Sequence, residues 1–591
     1  MAKDKFLSQA DIRDNIVLLQ KFLTSQKMDA FYVSSFDIFL NEYVPLEDCH
    51  RYYVTNFTGS TAEALVPRVG KVLLFVDGRY YEQADLEVDA SIVEVIKVPY
   101  GKGLQSAVKE AIRERKYKTL GLEGDRIDLN LFCDFKNLAK VISLNSGELK
   151  KVLSFKSKSF NKLIHEIPLD LVGLSTKEKC EKILKPGEAF FLSALDSIAW
   201  LTNLRRFELP YQSTFRAKAL ATSERVYLLL EAMEGVVSNE AIEISLGDFS
   251  KLEEFLNLVD EYENFWSSKI SLNKTKIEKV YYSDRSLNAA DFEKLKNHFG
   301  ETKLINRSEG LTPYHALKNP NELHAMESSF NRGDQAIFET INWVKDTVNK
   351  NGKITELDFY HKTNEFYKKQ GALDQSFKTI AALGANSSII HFSNPSDEIS
   401  FRPGELTLLD SGGYFESGYA TDTTRAFLSG GLANERQKEI YTTVLKAILH
   451  TLNAVFPEGT WGSLIDGICR QPIVKAGLNY NHGTGHGVGI NVHEGGFRLS
   501  TTSNLPLKEN TVGSIEPGIY IPGFGGVRLE NVVVVERHPV LCGMLRFRSL
   551  VYVGFDHDLI NDHMLTDEEK RWLEDYEREC QKRGRSFKYR S

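Results

Sequence analysis

Apolar residues recur at helical spacing through "DIRDNIVLLQKFLTSQKM", and the strand-like run "DAFYVSS" follows directly. Further on, "STAEALVPRVGKVLLFVDGRYYEQA" reads as strand, turn, strand, then a helix after Gly78. A related order returns later: "KCEKIL" as helix, "AFFLSALDSIAWLTNL" as strand then helix, and "AKALATSERVYLLLEAM" as strand, turn, strand. The fragments "SSFDIFLNE" and "SALDSIAWLTN" occupy matching places in the two halves. The pattern predicts two α/β domains of similar build, the plain alternative being a chance match between common α/β patterns.

A boundary falls near "GLTPYHALKNPNELHAMESSF". Asn319 can cap a helix that has Pro320 at its first position and Glu322 closing a capping box. That helix is expected to run until Asn351-Gly352 stops it. Beyond it, helical stretches such as "NERQKEIYTTVLKAILHTLNAVF" alternate with the strand-like runs "ELTLLDSGGYF", "VGSIEPGIYI" and "RLENVVVVE". We therefore expect two α/β domains over 1–165 and 166–316, then an α+β domain over 317–591 with a C-terminal extension from about 540. The tail "LTDEEKRWLEDYERECQKRGR" opens with a threonine cap and predicts a charged amphipathic helix docked on the surface.

At 591 residues the chain is too long for one core, and 42% hydrophobic with 26% charged residues is ordinary globular composition. A formal net charge of −7 gives no electrostatic reason to expect nucleic acid or an anionic membrane as partner. The local basic stretch "KVLSFKSKSFNK" reads as solvated surface or linker. Charges interrupt every apolar run near the N-terminus, so no signal-peptide core is read, and no stretch approaches the roughly 20 apolar residues of a membrane span. Six cysteines lie scattered without a CxxC pair, which fits reduced thiols in the cytoplasm better than a disulfide framework.

The densest chemistry is "NHGTGHGVGINVHEGG", residues 481–496. Two histidines four apart match the helical zinc motif, but each of the glycines costs a helix about 1 kcal/mol, and no glutamate lies between His482 and His486. Glycine at every second residue instead suits extended backbone in close approach to something else, with His482, His486 and His493 set along a site wall. Four carboxylates stand in strand-like contexts elsewhere: Asp410 in "LTLLDSGG", Asp422 in "GYATDTTRAF", Glu516 in "SIEPGIY" and Glu530 in "GVRLENVVVV". Singly, Asp410, Asp422 and Glu516 have bland readings as turn acids, turn caps or strand-end surface acids. Glu530 before four valines is harder to explain that way, since a buried strand has little room for an unpaired charge. Together with His486 they form a hard, oxygen-rich donor set that suits Mn²⁺. Four negative charges balance two divalent cations, and such a pair would lower the pKa of a bridging water and present hydroxide to a carbonyl.

"HGTGHGVG", "NVHEG", "EPGIY" and "VRLENVV", in this order after "LLDSGG…TDTTR", resemble the metal-dependent Xaa-Pro aminopeptidases of the pita-bread metallopeptidase family M24. "YYVTNFTGSTAEALV" with "FVDGRYYEQA" is similar to the family's first domain, and "ALDSIAWLTNLR" with "PYQSTF" to its second. "RQPIVKAGLNYNHGTGHG" and "LINDHMLTDEEKRWLEDY" are similar to the long, three-domain branch. The resemblance implies two creatinase-N-like α/β domains followed by a pita-bread catalytic domain. It implies that Asp410 binds one metal, that Asp422 and Glu530 bridge both, and that His486 and Glu516 complete the second, with Glu516 also the general base. His391 in "SSIIHFSNP", His482 and His493 match the family's non-ligand histidines, and Arg528 its arginine beside the bridging glutamate. It further implies two divalent ions (Mn²⁺ first, Zn²⁺ or Co²⁺ as alternatives), substrates with proline second, and a homodimer. Prolidase-like cleavage of Xaa-Pro dipeptides and a non-catalytic peptide-binding module are the rival readings. Two departures stand out. One extra residue separates Asp410 from Asp422, which a turn at Glu416-Ser417-Gly418 can absorb, and Gly496 stands where the family commonly has proline.

Overall fold

The computed structural model describes residues 5–156, 163–235, 237–269 and 277–588, so part of the basic stretch at 151–162 lies outside the described residues. The first third folds around a six-stranded sheet in the order Val93–Lys97, Val72–Val76, Glu63–Pro67, Ala30–Val33, Thr119–Glu123, Lys140–Leu144. The second sheet runs Ile242–Leu246, Val226–Leu230, Lys218–Thr222, Glu188–Leu192, Lys279–Tyr282, Leu304–Asn306. Both follow the same sequence of pairings: parallel, antiparallel, antiparallel, parallel, parallel. The repeat read in the sequence is thus a repeat of topology. Ser34-Ser35 and Ser193-Ala194 follow equivalent strands, but only the second passes straight into a helix, Leu195–Thr202. In the first, Asp37 accepts from the amides of Phe39 and Asn41, and the helix is delayed to Tyr52–Thr55. Both helices end on an asparagine in the left-handed region, Asn56 (φ 60°) and Asn203 (φ 57°), as helix C-caps without glycine commonly do.

The helix Pro320–Asn349 opens with the expected reciprocal cap, Asn319 accepting from the Glu322 amide (3.0 Å) and Glu322 from the Asn319 amide (2.8 Å). Glu322 also accepts from Trp200 Nε1 (3.0 Å) and Tyr419 Oη (2.8 Å), tying the second domain to the loop before Asp422. Behind this helix lie a three-stranded sheet, Ile380–Leu383, Leu406–Ser411 and Thr423–Leu428, and a six-stranded sheet centred on Asn531–Arg537 and Val512–Ile515. Asn531–Arg537 is buried on both faces as far as Val535: Val532 and Val534 join the core shared with the second domain, Val533 and Val535 the core under Glu435–Leu452. The helix Asp567–Lys582, expected on the surface, is set deeper than that. Glu577 and Cys580 are fully buried, and Tyr576 Oη meets Arg425 Nη2 (2.9 Å) and Asn531 Nδ2 (3.2 Å) beside Asp422 and Glu530. Among the described residues no helix is long and apolar enough to cross a membrane.

Candidate metal centre

Strand register explains why four distant carboxylates meet. Leu406–Ser411 pairs antiparallel with Thr423–Leu428, setting Asp410 opposite Thr424. Side chains alternate along a strand, so Asp422, two residues before Thr424, shares the face of Asp410. Between them the chain turns back at Phe415–Gly418, with Gly418 at φ 70° and its amide donating to Phe415 O (2.9 Å). With this turn between them, Asp410 and Asp422 stay on one face. Glu530 follows the short strand Gly525–Arg528, and its amide donates to Thr424 O (3.0 Å). Glu516 follows Val512–Ile515 and donates its amide to Thr484 O (2.8 Å), at the start of the glycine-rich stretch.

That stretch is extended, with Gly485–Gly487 a strand between Val512–Ile515 and Glu494–Leu499. A Cβ at Gly485 would strike Ser514 O, one at Gly487 the Glu494 carbonyl, and one at Gly489 the Glu494 carboxylate. Close backbone approach, then, is what the alternating glycines serve. Gly496 has φ 89°, which a pyrrolidine ring cannot adopt, so proline is not compatible with this loop conformation. Glu494 is buried with Lys318 Nζ and His315 Nδ1 against its carboxylate. Lys318→Met leaves that carboxylate without its ammonium partner and is expected to cost about 3–5 kcal/mol, read as a lower thermal transition.

The ligating atoms of Asp422, His486 and Glu530 lie within 4.8 Å of one another. His486 Nε2 is 3.5 Å from Asp422 and 3.7 Å from Glu516. Its Nδ1 lies 3.0 Å from Gly487 O, so that nitrogen carries the proton and Nε2 turns its lone pair to the carboxylates. Arg528 donates from Nη2 to Asp410 Oδ2 (2.5 Å), from Nε to Thr424 Oγ1 (3.0 Å) and from Nη1 to Tyr520 Oη (2.9 Å). Thr424 Oγ1 in turn donates to Glu530 (2.7 Å). Asp410 keeps its other oxygen, Oδ1, buried with no hydrogen-bond partner.

Burial, then the neighbouring carboxylates, holds Asp422 and Glu530 well above the usual carboxylate range. Burial likewise raises Glu516 to about 7, against the pull of Arg528. It lowers the His486 and His482 imidazoles to about 3, so both are neutral. A crowded, buried set of acids with an orphaned oxygen and an aimed imidazole lone pair fits divalent cations, whose charge would offset the repulsion.

The remaining histidines surround this centre. His482 sits between Gly483 O (2.7 Å from Nδ1) and Tyr520 Oη (3.0 Å from Nε2). His493 packs edge-on against His486, with ring centroids 4.4 Å apart, and its Nδ1 is 2.7 Å from Glu42. Burial opposes protonation of His493, but Glu42 outweighs it and raises its pKa. His391 Nδ1 meets Tyr80 Oη at 3.0 Å, and burial keeps this ring neutral. All nine predicted residues line one cleft of about 1230 Å³ walled by all three domains. Sequence reasoning missed Glu42, Tyr80, Thr424 and Tyr520. Tyr80 and Tyr520 lay inside motifs already singled out, and Thr424 stands beside Asp422. Glu42 closes the repeat fragment "SSFDIFLNE", but no local pattern there ties it to a histidine of the third domain.

The metallopeptidase family M24 model matches residues 324–537 and that of the C-terminal region of peptidase M24 matches 543–586. Creatinase/prolidase N-terminal domain models match 16–151 and 157–322. A "Probable Xaa-Pro aminopeptidase P" of Ajellomyces capsulatus (strain G186AR) is 30% identical over 608 residues, covering 96% of this chain and 95% of that protein. Its counterpart in Neurospora crassa is 29% identical over 624 residues, covering 98% of this chain and 87% of that protein. The crystal structure of an X-prolyl aminopeptidase from Caenorhabditis elegans, a cytosolic enzyme with a di-nuclear active site, superposes with a TM-score of 0.86 over 97% of this chain and 96% of that one, at 22% identity. The prolidase of Pyrococcus horikoshii gives 0.51 over 65% of this chain and 99% of that one, at 25% identity. Both creatinase-type domain models match this chain, one after the other. The chain belongs to the Xaa-Pro aminopeptidase P family, the long three-domain branch of the M24 metallopeptidases.

Proposed function

We propose that the chain is a metal-dependent aminopeptidase that hydrolyses the bond between the first residue of a peptide and a proline in second position. The observation that carries this reading is the convergence of Asp422, His486 Nε2 and Glu530 within 4.8 Å, flanked by Glu516 and Asp410, on the wall of the cleft. Two divalent ions, manganese by donor chemistry, would be held by Asp410, Asp422, His486, Glu516 and Glu530, and would supply Lewis-acid activation of water. Arg528 fixes the Asp410 carboxylate and, through Thr424, that of Glu530, so neither can rotate out of register. Glu516 takes the proton released by the attacking water. The prolyl nitrogen has no hydrogen and must gain one as the bond breaks. His493, whose pKa Glu42 raises, packs against His486, and His391 and His482 face the same space as neutral rings. The domain limits 1–165, 166–316 and 317–591, a homodimer and a cytoplasmic location belong to the same reading.

Purified chain assayed with and without Mn²⁺ on an Xaa-Pro-Yaa peptide and on an Xaa-Pro dipeptide tests the proposal. Metal-dependent release of the first residue from the tripeptide supports it. Turnover of the dipeptide alone would make the chain a prolidase, and binding of peptides without turnover would make it a binding module.

A further inference from the structure

The metal centre leaves three exposed cations of the cleft wall unused. Arg498, on the strand Glu494–Leu499, stands directly opposite His486 in the antiparallel ladder. Residues paired in this way project to one face of the sheet, with Cβ atoms about 4.5–5.5 Å apart. Phe497 and Leu499 fill the other face, in the core under Glu435–Leu452, so Arg498 lines the cleft beside the imidazole. Lys508, from the loop that follows, and Arg285, from the second domain, line the same cleft and are exposed like Arg498. Among the described residues none of these three side chains has a hydrogen-bond or ion-pair partner. The wall from Arg285 to Arg498 is continuous. Ser283 Oγ donates to Ser308 O (2.8 Å), and a Cβ on Gly495 would come within 2.7 Å of Thr312 Cγ2. Two acids on this wall, Asp196 and Glu309, lie on the second-domain side with Arg285, which leaves Arg498 as the free guanidinium beside the metal centre.

We propose that Arg498 is a specificity residue that pairs with a carboxylate of the peptide downstream of proline, with Lys508 and Arg285 extending the same cationic margin for longer peptides. This rests on the aminopeptidase reading above. The first residue of a peptide has nothing before it, whereas the chain beyond proline must leave the cleft where it opens to solvent, and Arg498 is exposed beside the centre that would cut the bond. Two carboxylate sources lie downstream, the C-terminus of a short peptide and the side chain of Asp or Glu in a longer one. The planar guanidinium fork matches either. The pairing lies away from the bond that breaks, so it is made alike in bound substrate and transition state and acts on KM more than on kcat.

Two substrate pairs separate the sources: Ala-Pro-Ala against its C-terminal amide, and the amide of Ala-Pro-Glu-Ala against that of Ala-Pro-Gln-Ala. With Mn²⁺-loaded wild type, the charged member of at least one pair should have kcat/KM about 3- to 10-fold higher, through KM, the range of an ion pair at a partly open site. The advantage should shrink with added salt. In Arg498→Met the ratio should fall to near one, and Arg498→Lys, which restores the charge without the fork, should recover part of it. A response of the first pair alone assigns the site to a C-terminal carboxylate, and of the second alone to an acidic side chain; either supports the proposal. Ratios near one in the wild type, or a ratio that persists in Arg498→Met, overturn it and leave the aminopeptidase reading standing. A wild type inactive on all four peptides overturns that reading, and this inference with it.

Discussion

Asp422→Asn is expected to lower kcat/KM on an Xaa-Pro-Yaa peptide by about three orders of magnitude, roughly 4 kcal/mol of lost transition-state stabilisation. The amide nitrogen cannot ligate a cation, and Asp422 lies closest of the acids to His486 Nε2, at 3.5 Å. The fold should survive, because the strand Thr423–Leu428 is held by its ladder to Leu406–Ser411 and not by this side chain. Without metal the variant should melt higher than the wild type at neutral pH. Burial and the charges of Glu530 and Asp410 push the Asp422 carboxyl well up, so ionising it opposes folding, and an amide of the same shape removes that cost. Activity and thermal unfolding of the metal-free and Mn²⁺-loaded forms check both halves. A fully active variant would remove Asp422 from the ligand set.

Chelation should abolish activity and make stability fall with rising pH. Asp422 and Glu530 have folded-state pKa values raised well above those of an unfolded chain, and Glu516 is raised to about 7, each through burial first. A raised carboxyl pKa means the folded chain retains protons that the unfolded chain releases. The resulting stability is fully present below about pH 4 and is lost as pH rises through the raised values. The chelated protein should therefore melt progressively lower from about pH 5 to about pH 8, and added Mn²⁺ should restore most at the upper end, where bound cations replace the missing protons. A melting curve that does not respond to metal at any pH would contradict a cation site built from these acids.

Much of this architecture is legible in the sequence because local rules and tertiary structure agree. Asn319, Pro320 and Glu322 spell a helix start that the structure realises atom for atom, and Asn351 ends the same helix in the left-handed region. The alternating glycines at 483–489 announce close backbone approach, and Ser514 and Glu494 are what they approach. The contacts that the sequence hides are those between domains. Glu42 lies more than four hundred residues from His493, and Tyr80 more than three hundred from His391, and no local pattern encodes pairings at that separation. The depth of the C-terminal helix was hidden for a related reason. Its charged composition describes the outward face, while Tyr576 and Glu577 act on the inward one: Tyr576 reaches Arg425 and Asn531, and Glu577 accepts from the amide of Phe555.

Metal content per chain, measured on the chelated and Mn²⁺-reloaded protein alongside peptide turnover, bears most directly on the catalytic centre. Two ions per chain, lost together with cleavage of an Xaa-Pro-Yaa peptide and regained with it, is the predicted result. Undiminished cleavage by protein holding no ions, or two ions still bound after Asp422 and Glu530 are both changed to their amides, would contradict it.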